Sequence, residues 1–75
     1  MNKQRRKQIE KAIALMQEAL DILENVKDDE QEAFDNMPEG LQGSEKGELM
    51  EEIIGYLEDS YGNLETAIED LGNIE

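Results

Sequence analysis

The sequence predicts an all-α fold: an antiparallel two-helix hairpin that pairs with a second copy to complete a four-helix bundle. Three observations point there. Two long segments carry apolar residues at alternating steps of three and four, which is the repeat of one helix face and not of a strand. A single short connection holding Pro38, Gly40 and Gly43 separates them, so two helices of this length must fold back on each other. Each apolar face covers about half of its helix, more than one neighbouring helix can cover. The 75 residues are read as one domain, with helices over about 3–36 and 45–71 and a loop over 37–44.

The first helix starts near Lys3. Ile9, Ile13, Met16, Leu20 and Leu23 form one row, and Ala12, Leu15, Ala19, Ile22 and Val26 form a second beside it. The stripe is interrupted by Asp28, Asp29, Glu30 and Glu32 and resumes at Ala33, Phe34 and Met37. The interruption reads as a solvated stretch of helix, with a fray or bend as the alternative. Pro38 disfavours helical geometry at Met37, so the helix should end near Asn36.

The connection runs Asn36-Met37-Pro38-Glu39-Gly40-Leu41-Gln42-Gly43-Ser44. Asn36 and Glu39 with Pro38 between them could start one short helical turn. Gly40 and Gly43 offer positive φ at low cost. Ser44 is placed to cap the second helix, with Glu45 and Glu48 in its first turn where the helix dipole favours anions. That helix then carries Met50, Ile54, Leu57, Tyr61, Leu64, Ile68 and Leu71 in unbroken heptad spacing. Leu49, Ile53, Tyr56, Ala67 and Ile74 widen the face. The self-association core is accordingly expected at Ile13, Met16, Leu20, Leu23, Met50, Ile54, Leu57, Tyr61, Leu64, Ile68 and Leu71.

Composition removes most chemistry. There is no histidine and no cysteine, which excludes zinc fingers, thiolate nucleophiles, disulfides and imidazole acid–base catalysis. Asp28, Glu30 and Glu32 have the first spacings of a calcium loop, but Ala33 stands where that loop needs glycine. Asp35, Glu39 and Gly40 also match part of such a loop, and Met37 and Lys46 occupy ligand positions. No metal, cofactor or catalytic residue is expected, and the chain reads as no enzyme. Tyr56 and Tyr61 read as boundary residues of the apolar face. Gly55, Gly62 and Asn73 fall on one line of the second helix, which reads as an exposed face, with a small-residue groove as the functional alternative. No run is long and apolar enough to span a membrane, no secretory signal follows the basic N-terminus, and the expected compartment is cytoplasmic.

Charge is strongly uneven. Lys3, Arg5, Arg6, Lys7 and Lys11 face only Glu10 in their segment, a net of +4, while residues 12–75 hold 2 cations and 19 anions, a net of −17. The hairpin expectation sets the basic N-terminus beside Glu65, Glu69, Asp70 and Glu75. A body this acidic repels nucleic acid and anionic membranes and attracts basic protein surfaces.

The run Glu32-Ala33-Phe34-Asp35-Asn36-Met37-Pro38-Glu39-Gly40-Leu41-Gln42-Gly43-Ser44-Glu45, followed by Gly47, Met50, Glu51 and Glu52, resembles one in small acidic helical proteins of bacteriophages and prophages. The resemblance covers the connection and its flanks, and the helices only in general character. It implies a phage origin, a host-cell cytoplasmic setting and a small accessory role. It carries over no activity and no site residues.

The leading functional expectation is a non-enzymatic accessory protein, homodimeric, that binds a host or phage protein. Its binding surface would be the loop Asn36, Met37, Pro38, Glu39, Gly40, Leu41, Gln42, Gly43 and Ser44, or the acidic faces. Glu18, Asp21, Glu24, Asp28 and Glu32 make the acidic row of the first helix, and Glu51, Glu52, Glu58, Asp59, Glu65 and Glu69 that of the second. The alternative is a DNA mimic in which these carboxylates imitate phosphates and fill the basic groove of a defence nuclease or similar host enzyme. A third reading, capture of a small anionic ligand between subunits, would rest on the five N-terminal cations.

Overall fold

The computed structural model describes residues 1–74; the expectation placed on Glu75 lies outside them. The described residues form three helices and no strand: α1 Lys3–Asp35, α2 Glu39–Gln42 and α3 Glu45–Gly72.

α1 begins where the Asn2 side chain accepts a hydrogen bond from the Arg5 amide at 2.8 Å, satisfying one of the free N–H groups of the first turn. It runs without a break through the acidic stretch, so no fray occurs there, and Asp28, Asp29 and Glu32 are exposed as a solvated stretch requires. It stops before Pro38, with Asn36 as its C-terminal cap. The connection is a helical turn, α2, and not an open loop, and it is built without any left-handed residue: no glycine has positive φ. The expectation for Gly40 and Gly43 is therefore corrected. Gly40 lies inside α2 and Gly43 has φ −85°.

Two devices close this turn. The Gln42 side-chain amide donates to the Phe34 carbonyl at 3.1 Å, which also accepts the Met37 amide, and to the Met37 carbonyl at 3.3 Å, tying the turn to the end of α1. Ser44 caps α3, accepting from the Gly47 amide at 3.4 Å, while its hydroxyl donates to the Leu41 carbonyl. Gly47 is buried against this turn. A Cβ there would stand 2.0 Å from the Gln42 carbonyl oxygen, so it is absent of necessity: only glycine lets α3 start this close to α2.

α1 and α3 pack against each other, and α2 packs on α3. The half-buried residues of α1 include Ile9, Ile13, Met16, Leu20, Leu23, Lys27, Glu30 and Phe34, and Met37 in the connection continues the series. Their spacing is an unbroken heptad, so the interruption seen in the sequence is a change of chemistry and not of geometry: Lys27 and Glu30 hold inner positions. Lys27 Nζ lies 5.8 Å from the centroid of the Tyr61 ring, a distance at which the ring face attracts a cation. On α3, Met50, Leu57, Tyr61, Leu64, Ile68 and Leu71 are half-buried and Ile54 is buried, only 7% exposed.

The molecule is a rod of 58 × 14 × 13 Å with a radius of gyration of 17.2 Å. A compact domain of this length has about 11 Å. Nothing therefore lies deep, and stability rests on one seam and its closing turn.

Gly47→Ala is expected to lower stability by roughly 2–3 kcal/mol, because backbone must move to admit the methyl group. Gly55 and Gly62 have no atom within 4 Å of an added Cβ, so Gly55→Ala and Gly62→Ala are expected to raise stability by about 1 kcal/mol each. Thermal unfolding followed by circular dichroism at 222 nm reads both signs.

Candidate interaction surfaces

The eleven residues expected as a self-association core line the α1–α3 seam of a single chain. What remains open is the row beside them. On α1, Leu15 is 56%, Ile22 62% and Val26 45% exposed, with Ala12 and Ala19 half-buried between them. On α3, Leu49, Ile53 and Tyr56 are exposed in the equivalent positions. Sequence pattern located this second row; only the structure separates it from the seam.

Every residue of the acidic rows, Glu18, Asp21, Glu24, Asp28 and Glu32 with Glu51, Glu52, Glu58, Asp59, Glu65 and Glu69, is exposed. Among the described residues no group of three or more metal-ligating side chains is placed to hold an ion. In the connection, Met37, Gln42 and Ser44 are half-buried, while Asn36, Pro38, Glu39, Gly40, Leu41 and Gly43 face outward. Leu41 is the one large apolar side chain that this turn offers to a partner. Its amide is tied to the Pro38 carbonyl at 2.8 Å, so the turn presents it in a fixed position.

The line of Gly55 and Gly62 meets nothing and forms no groove within the chain. At the N-terminus an open depression is lined by Lys3, Gln4 and Lys7, all three from the first turns of α1. Among the described residues no helix is long and apolar enough to cross a membrane.

The two phenols differ in surroundings. Tyr56 donates its hydroxyl to Glu52 Oε1 at 3.0 Å, and that hydrogen bond, with the carboxylate charge behind it, raises its pKa above the ordinary 10.0. Tyr61 is also raised, first by burial in the seam and then by the charges of Glu24, Glu65 and Asp21. Two of those acids belong to α1 and one to α3, so the ring sits where the helices meet.

Compared with protein-family models, curated proteins and solved structures, the chain matches none. Its surfaces must be read from their own chemistry.

Because both phenol pKa values are raised on folding, the fold resists tyrosinate formation. This stabilisation is complete below the unfolded pKa of about 10 and is lost as pH climbs through the raised folded values. Helix signal and tyrosinate absorbance are expected to change together above pH 10, and Tyr61→Phe should move the loss of helix to higher pH.

Proposed function

We propose that the chain is a non-enzymatic interaction protein. In this reading it is an antiparallel helical hairpin that joins a second copy in a four-helix bundle and meets a basic protein partner through its acidic outer faces or the 36–44 turn. The observation that carries it is the exposed apolar row of Leu15, Ile22 and Val26 on a chain whose one buried aliphatic side chain, among the described residues, is Ile54.

Several features support the hairpin. Lys27 of α1 reaches Tyr61 of α3, and Gln42 reaches back to Phe34. α1 alone is about 50 Å long at 1.5 Å per residue, and the whole rod is only 58 Å. Surface area supports association. The chain exposes 5734 Å², whereas a compact monomer of 8.5 kDa exposes about 4,700 Å². The excess of roughly 1,000 Å² is the scale of surface one partner contributes to a stable interface.

Charge defines the outside partner. Between Asp28 and Glu52 the chain holds ten acids and the single cation Lys46, a net of −9, all gathered about the turn. Such a field draws in cationic protein surfaces and speeds encounter with them. A phage accessory protein acting on a host or phage protein, as the loop resemblance implies, fits this chemistry. The full exposure of both carboxylate rows favours DNA mimicry as the second reading, with solubility alone accounting for part of the same charge.

Sedimentation equilibrium at micromolar concentration is expected to give twice the chain mass of 8.5 kDa; a cooperatively folded monomer defeats the association. Affinity capture from a bacterial lysate is expected to retain a basic protein that salt releases. Retention indifferent to salt defeats recognition by charge, and competition by DNA for the same partner would move the assignment to mimicry.

A further inference from the structure

We propose that the second copy docks end for end on α1, with the two-fold axis passing at Ala19. This rests on the self-association proposed above and adds its surface and direction.

The apolar row of α1 is the first argument. An isologous two-fold contact needs a surface that matches itself when reversed, so that residue i meets j and j meets i. Ala12, Leu15, Ala19, Ile22 and Val26 form such a series about Ala19. Reversed on itself, Ala12 comes level with Val26 of the second copy, a small residue against a branched one, and Leu15 comes within one residue of the level of Ile22. Ala19 meets only its own equivalent, and the small side chain lets the helices close. Ala19 is also the middle residue of Lys3–Asp35, so the same register overlaps the two helices along their full length.

Charge is the second argument and decides the direction. Lys3–Lys11 carries +4, and Asp28–Asp35 holds five acids and no cation. Within one helix this arrangement is unfavourable, because cations sit at the positive end of the helix dipole and anions at the negative end. α1 has no acid in its first turn and no base in its last. End-for-end docking sets each basic end along the other copy's acidic end and offsets both penalties. Parallel docking would bring the two acidic ends, each part of a region of net −9, side by side.

The extent of α3 leaves the basic end free for this. The Lys27 side chain leans toward the N-terminus of α1 to reach Tyr61, and Tyr61 lies among Asp21 and Glu24 of α1, so the eleven residues that follow it, as far as Gly72, bring the end of α3 level with roughly residue 12 of α1. The segment Lys3–Lys11 runs past it, beyond the Glu65, Glu69 and Asp70 that the sequence reading set beside it. One face of a rod 58 Å by 14 Å offers about 800 Å², the share each partner brings to a standard interface.

Spin labels on single cysteines test the arrangement, since the chain has no cysteine of its own. Gln4→Cys and Glu18→Cys are both exposed and lie off the apolar row. Each labelled protein is also sedimented. In the end-for-end dimer, dipolar spectroscopy is expected to give roughly 45 Å between the two labels at position 4, twice the fifteen-residue distance to Ala19, and under about 25 Å at position 18, as for neighbouring helices. Short distances at both positions in a dimer overturn the direction and leave the association standing. A long distance at position 18 in a dimer overturns α1 as the contact. A monomer by sedimentation, with no dipolar coupling between copies, overturns the self-association itself.

Discussion

A seam between only two helices covers each side chain on one side, and most of this structure follows from that constraint. Ile54 alone reaches real burial among the aliphatic residues described, although the seam runs along most of α1. The remaining inner residues gain part of the 1.5–3 kcal/mol that full burial of a large apolar side chain provides. A fold with so thin a core has to hold its ends firmly. Here the short turn does so with side-chain hydrogen bonds from Gln42 to the Phe34 and Met37 carbonyls and from Ser44 to the Leu41 carbonyl, added to the backbone bonds that Phe34 and Leu41 already accept.

Much of this was legible in the sequence because it depends on period and punctuation. Heptad spacing on the second helix, Pro38 as a stop and Ser44 as a cap are local signals, and each has a local physical cause. Gly47 was not legible in the same way. Its requirement comes from the Gln42 carbonyl, five residues back, and no propensity argument sees a contact made by the folded turn. The glycines that looked permissive, Gly40 and Gly43, use no left-handed geometry. Nor did hydropathy show that Lys27 and Glu30 hold inner positions, because a long side chain can lay its stem along an apolar surface and keep its charge near water. The reading of candidate surfaces was limited for a similar reason. Sequence shows that an apolar face is wide, but which row the neighbouring helix covers is a question of register.

The charge pattern of α1 is better understood against α3. α3 places Glu45 and Glu48 in its first turn, in agreement with its dipole, whereas α1 has the opposite arrangement at both ends. Each misplaced charge costs about 0.3–1 kcal/mol near a helix end. In a chain with so little buried surface, such costs are a sizeable fraction of the total stability, which is about 0.05–0.15 kcal/mol per residue in ordinary proteins. A helix with this arrangement gains most from a neighbour of opposite polarity, which is the physical ground for the proposed pairing with a second α1.

Lys27 addresses a weakness that every heptad seam has. A perfectly apolar repeat can slip by seven residues and lose little, because each layer resembles the next. Polar residues at inner positions restrict this, at some cost in stability. Here the restriction has a specific geometry. Lys27 lies over the ring of Tyr61, and a slip of one heptad in either direction would set it against Ile54 or Ile68. Neither offers a π face, and the ammonium stem would then run through the most tightly covered layer of the seam. The aromatic residue and the lysine therefore select one register among several that hydrophobicity alone would allow. That register also sets how far α1 extends past α3, and with it how much of the basic end remains exposed to a neighbour.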